Sequence, residues 1–113
     1  MVEKFSVEFL PEAVEFMEQL NNQAQLKIYY NIRKAQLKND PELFKKLTDN
    51  IFEFSTLYNK TYYRLFAFWD KKHGQKTLVL ATHGLIKKTG KTPEADLDKA
   101  EKIRQQYLAE KKK

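Results

Sequence analysis

The 113-residue chain contains no cysteine, which excludes disulfides and thiolate metal sites and suits a reducing compartment. Glycine is scarce as well: Gly74, Gly84 and Gly90 are the whole complement, and neither a GxGxxG cradle nor a phosphate loop ending in GKS or GKT can be assembled from them. The two histidines, His73 and His83, have no clustered carboxylates beside them, so no metal-ligand set is indicated. A GxSxG nucleophile motif is also missing. The opening run MVEKFSVEFLPEAVEF carries acids throughout and no apolar stretch, so neither a signal peptide nor a transmembrane helix is expected, and the default location is cytoplasmic. These absences leave cofactor-free, metal-free chemistry or simple binding, built from Arg, Lys, His and Tyr against an anion.

What is present is unevenly placed. Between Lys60 and Lys91 lie eight basic residues (Lys60, Arg64, Lys71, Lys72, Lys76, Lys87, Lys88 and Lys91) against the single acid Asp70, so this third of the sequence carries +7 of a net +6. The remainder sums to −1. An excess of one sign gathered in one region points to an anionic partner there and not to a general solubility coat.

That region is also the organising element of the expected fold. Thr61 to Asp70 and Thr77 to Leu85 are mixed aliphatic and aromatic runs separated by a polar stretch containing Gly74, the pattern of a β-hairpin. Ile51 to Leu57 alternates and adds a third strand, making an antiparallel meander. Upstream, Phe5, Val7 and Phe9 alternate with polar residues as a half-buried strand. Pro11 suits the first position of a helix in which Ala13, Phe16, Met17 and Leu20 recur at helical spacing. A second helix is expected from Gln23 to Lys38, stopped by Asn39, Asp40 and Pro41, with one more helical turn over Pro41 to Leu47. Thr92 and Pro93 open a C-terminal helix whose apolar positions include Leu97, Ala100, Ile103 and Tyr107. Large groups on both faces of the first hairpin strand imply an interior strand with helices over one face and other cover over the second. The expected fold is therefore α+β: a twisted antiparallel sheet with an N-terminal helical hairpin and a C-terminal helix. Residues 1–110 are expected to form a single domain and 111–113 a disordered basic tail.

Arg64 sits mid-strand between Tyr62 and Phe66, where a sheet-face position is usually apolar. The plain reading pairs it with an acid such as Glu53 on the neighbouring strand; the functional reading is a held fork aimed at phosphate oxygens, which the local charge favours. Lys87 and Lys88, with Lys91 beyond, are either a solvated loop or the lining of a positive concavity beside Arg64. Lys71 and Lys72, at the hairpin tip, are further candidates for backbone contact. His83 is either a strand histidine bonded within the protein or the one nearby side chain whose ordinary pKa suits proton transfer near neutrality. Alternation does not decide whether it faces Arg64.

The run YYRLFAFWDKKHGQKTLVLATHGLIKKTGKTP, followed by a helix with Ala100 and Tyr107, resembles the RelE/HigB family of bacterial and phage type II toxins. The likeness covers nearly the whole domain and is most specific in YRLF, HGLIKKTGKTP and DKAEKIRQQY. It implies a compact RelE-like α/β fold and a ribosome-dependent endoribonuclease that cuts mRNA, inhibits translation and is held inactive by a cognate antitoxin, often of helix-turn-helix type. By the same resemblance Arg64 contacts the scissile phosphate, Lys87 and Lys88 are the basic pair after the last strand, Lys91 belongs to that motif, and Tyr107 corresponds to a C-terminal aromatic that meets the substrate. The chain departs from the pattern at Glu53 and Ser55, where many relatives carry a basic residue. Two other functions fit the same sequence: a non-catalytic RNA- or ribosome-binding module, and a ParE-like toxin that inhibits gyrase.

Overall fold

A computed structural model describes residues 3–38, 40–72, 75–87 and 92–111, with the side chains of residues 72 and 75–77 outside that description. The described chain builds β1 (Ser6–Phe9), α1 (Pro11–Glu18), α2 (Asn22–Leu37), β2 (Phe44–Lys46), β3 (Phe52–Tyr58), β4 (Thr61–Lys72), β5 (Gln75–Lys87) and α3 (Glu94–Lys111). The fold is α+β, with three helices and a five-stranded sheet in the order β1-β5-β4-β3-β2.

The meander β3-β4-β5 is antiparallel, as its short connections require, but β1 joins β5 in parallel and the sheet is mixed. Alternation in β1 reports which face its side chains take and carries no information on direction. The turn between β3 and β4 is tight: Asn59 and Lys60 both take left-handed backbone angles, with φ of 52° and 60°, as two-residue hairpin loops demand. It sets the pairing of Ser55 with Arg64 and of Glu53 with Phe66.

Both faces of the sheet are covered, which makes β4 the interior strand expected. On one face Phe54, Leu65, Ala67, Val79 and Ala81 pack with Ala13 and Met17 of α1 and with Ile28, Ile32 and Ala35 of α2. Asn21 caps α2 by accepting from the Ala24 N–H at 2.8 Å, and the Gln25 amide donates to the carbonyls of Met17 and Leu20 at 2.8 and 2.9 Å, satisfying the open end of α1. Gly84 lies under α1, where an added Cβ would stand 2.2 Å from Cδ2 of Phe16; only the lack of a side chain lets helix and strand approach so closely.

On the other face Phe66, Phe68 and Leu80 pack with Ile51 and with Ala100 of α3. Ala100 is the one fully buried residue of α3 among those described, so polar ties supplement a thin apolar contact. The Tyr107 hydroxyl donates to Asp70 at 2.7 Å, Lys111 meets the same carboxylate at 2.5 Å, and Lys99 pairs with Glu12 at 2.7 Å.

Besides the parallel sense of β1, two expectations fail. Lys111 is the last residue of α3, held to Asp70, and does not begin a disordered tail. Residues 41–47 do not form a helical turn: 41–43 make a turn and Phe44–Lys46 is the edge strand β2. A segment this short gains little from a helical nucleus. As a strand it places Phe44 opposite Phe54, with ring centroids 4.4 Å apart and nearly parallel, and beside Phe52 at 5.3 Å. Cross-strand aromatic pairing outweighs the helical alternative.

Candidate functional site

The site grows from the register of three strands. Side chains at paired positions of neighbouring strands share a face. Arg64 is opposite Ser55 on β3 and Leu85 on β5, Tyr62 is opposite Leu57 and Lys87, and Phe66 is opposite Glu53 and His83. All of these therefore lie on the face that α3 partly covers.

His83 reaches that face through a β-bulge. Phe66 pairs with His83 but the next residue, Ala67, pairs with Ala81, which leaves Thr82 as an extra residue in β5. Without it, His83 would fall on the α1 face. The imidazole stacks on Phe66 with centroids 4.7 Å apart, Nε2 lies 3.1 Å from the Asp96 carboxylate and Nδ1 lies 3.0 Å from the Thr82 hydroxyl. Burial pushes its pKa below the ordinary value, against the opposing pull of Asp96. A neutral ring donating Nε2–H to Asp96 fits that contact, and the Thr82 hydroxyl beside Nδ1 also reaches the Phe66 carbonyl at 3.3 Å. His83 thus ties the first turn of α3 to the sheet. Its geometry favours the bonded strand histidine over proton transfer, because neither ring nitrogen faces solvent or the groove described below.

This burial sets a pH dependence. Below about pH 6.5 the unfolded chain takes up the histidine proton before the folded one does, so stability falls as pH drops from there through the depressed folded value, and this contribution is flat above it. Thermal melts between pH 7.5 and 5 are expected to show a steeper acid loss in the wild type than in His83→Gln; parallel curves would remove His83 from the account.

Arg64 is buried, and its Nη1 is ion-paired to Oε1 of the fully buried Glu53. The plainer sequence alternative is thus realised. The guanidinium also lies over the Tyr62 ring, 5.5 Å from its centroid, and Glu53 lies 3.5 Å from the hydroxyl of Thr92, just before α3. With 9% of its side chain exposed, Arg64 also lines a groove of about 660 Å³ together with Lys27, Asn31, Lys45, Ser55 and Tyr62, with Glu42 the acid among the described residues of its wall. The groove runs along β3 beyond the point where β2 stops pairing.

Among the other sequence candidates, Lys87 is half-buried on the same face, one pair of residues from Arg64. Lys88 and Lys91 lie outside the described residues, as do His73 and residues 112 and 113 of the expected tail. Lys71 is exposed at the far end of β4, and the side chain of Lys72 is outside the description. Tyr107 is at that far end too. Its partner Asp70 is six residues along β4 from Arg64, roughly 20 Å of strand, so the two do not form one site. Burial and then the bond to Asp70 raise the Tyr107 pKa to about 12, and its hydroxyl serves as an anchor for α3.

Lys27 and Lys45 went unseen in the sequence. Lys45 falls in the segment expected as a helical turn, and a three-residue strand is too short for alternation to reveal. Among the described residues no helix is long and apolar enough to cross a membrane.

The family model for phage-derived Gp49-like proteins (DUF891) matches residues 15–105, a span that includes the groove, the bulge and most of α3. No curated protein matches the chain.

Proposed function

Because the chain belongs to the phage-derived Gp49-like family, which is associated with toxin–antitoxin systems, we propose that it is the toxin of a type II module and acts as a RelE/HigB-type, ribosome-dependent mRNA endoribonuclease in the cytoplasm. Its partners in this reading are the ribosome, the translated message and a helix-turn-helix antitoxin that covers the groove. The observation that carries the reading is the basic groove itself: an arginine held on a rigid sheet face, with lysines on two flanking elements.

The chemistry asks little of the protein. The RNA 2′-oxygen attacks the adjacent phosphorus, the O2′–P bond forms, the P–O5′ bond breaks, and one proton leaves the 2′-hydroxyl while another reaches the departing 5′-oxygen. The products are a 2′,3′-cyclic phosphate and a 5′-hydroxyl. No protein nucleophile and no metal is required. Arg64, preorganised by Glu53 and Tyr62, would neutralise the charge that grows on the phosphorane oxygens. Lys87 would hold the adjoining backbone, with Lys88 and Lys91 assigned to the same task by resemblance alone.

The ion pair of Arg64 with Glu53, together with the absence from the groove wall of a described side chain that titrates near neutrality, favours one alternative: a module that binds RNA or the ribosome without cutting. Primer extension on a translated message separates the two. Induced wild type is expected to arrest growth and leave cuts in phase with codons. Ribosome association with an intact message would establish the binding module instead, and loss of DNA supercoiling activity of gyrase would point to a ParE-like toxin.

A further inference from the structure

We propose that Lys45 of the edge strand β2 is a phosphate-contacting cation of the groove. The inference rests on the RNA-directed reading above and adds to it a residue and a direction for the bound strand.

The register makes the assignment. Lys45 is paired with Glu53, which is paired with Phe66, so Lys45 falls on the same sheet face as Arg64. Its neighbour Lys46 is paired with Phe52 and falls on the opposite face, where it lies 3.7 Å from Asp49. Two strand spacings and one pair of residues separate Lys45 from Arg64, which puts their Cα atoms on the order of 12 Å apart. Two long side chains span that gap readily, and both line the groove.

Charge completes the argument. The guanidinium of Arg64 is offset by a carboxylate that is fully buried beside it. Among the described groove residues, the positive charge left for an incoming anion therefore resides on Lys45 and Lys27, against Glu42. Lys45 is exposed and forms no ion pair among the described residues, whereas Lys46 has Asp49. Lys45 and Lys27 stand on separate elements flanking the β3 edge, so an RNA strand held by both runs along β3, from the open edge toward Arg64. An acidic peptide would meet the same cations, but it presents no succession of phosphates for the Arg64 fork.

The probe is a fluorescein-labelled decauridylate, titrated by anisotropy across a salt series. Each phosphate contact on a single strand contributes about 0.7 to the slope of log K against log salt. Lys45→Ala is expected to lower the slope by about that amount and weaken binding about fivefold at 0.1 M salt, while Lys45→Arg stays close to wild type. Lys46→Ala, which removes the same charge from the other face, is expected to leave both unchanged. Equal losses in the two alanine variants would reduce Lys45 to bulk charge and overturn the proposal. So would an unchanged Lys45→Ala, or a Lys45 effect confined to labelled polyglutamate. Binding is read here without cleavage, so a null result in primer extension would sink the nuclease reading alone and leave this result standing.

Discussion

Arg64→Ala is expected to lower message cleavage by ~10²–10³, the usual loss when one preorganised donor to a developing oxyanion is removed, and growth arrest is expected to weaken with it. The same change carries a structural cost, because Glu53 is fully buried and would lose the cation that offsets it. Removing one member of a buried ion pair costs about 3–5 kcal/mol, a large part of the stability of a domain of this size. The double variant Arg64→Ala/Glu53→Gln separates the two effects, since a neutral amide needs no counter-charge. It is expected to regain most of the lost unfolding free energy in urea melts while cleavage stays at the level of the single variant. Cleavage that returned along with stability would mean that Arg64 acts only as a structural partner. Arg64→Lys is expected to keep the fold and recover only part of the rate, because an ammonium cannot reproduce the two-pronged geometry of the guanidinium.

The second large effect is expected at Phe66→Ala. This ring is fully buried at the centre of the smaller core, with Phe68, Leu80, Ile51 and Ala100 around it, and it stacks on His83. Truncating a buried phenylalanine costs about 3–5 kcal/mol, and a domain of this length then melts roughly 10–20 °C lower. The loss is expected to exceed that of an equivalent truncation at half-buried Leu97, measured by the same melts. Because Phe66 supports the imidazole that holds Asp96, hydrogen exchange in the first turn of α3 is expected to quicken in Phe66→Leu even where the global melt changes little. Unaltered exchange there would mean that α3 docks independently of the stack.

Much of this architecture is legible in the sequence. Period-two alternation points to β1 and β3, the mixed aliphatic and aromatic runs around Gly74 to β4 and β5, helical spacing to the helices, and Pro11, Gln23 and Thr92 lie close to the helix starts. Aromatic groups on both faces of the central strand announced that β4 would be covered twice. What escaped was information held between elements. The inserted Thr82 changes which face His83 occupies, and nothing in the surrounding alternation signals it. The parallel sense of β1 and the edge position of Phe44–Lys46 depend on contacts with distant partners. The basic excess also reads differently in space: Lys71 stands at the opposite end of β4 from Arg64, whereas Lys45 and Lys27, outside the charged third of the chain, line the groove. Counting charge along a sequence measured the amount and misplaced the address.

The pairing of Ser6 with Leu78 and Phe9 with Ala81 bears on the order in which the sheet can be completed. During synthesis the first strand must wait for the last before its edge is satisfied, and such distant closure slows folding. A nascent chain still tethered in the exit tunnel lacks the β5 rung that carries Lys87 and His83. The face that holds Arg64 is therefore completed only after residues 75–87 have emerged, however early the strands before them pair.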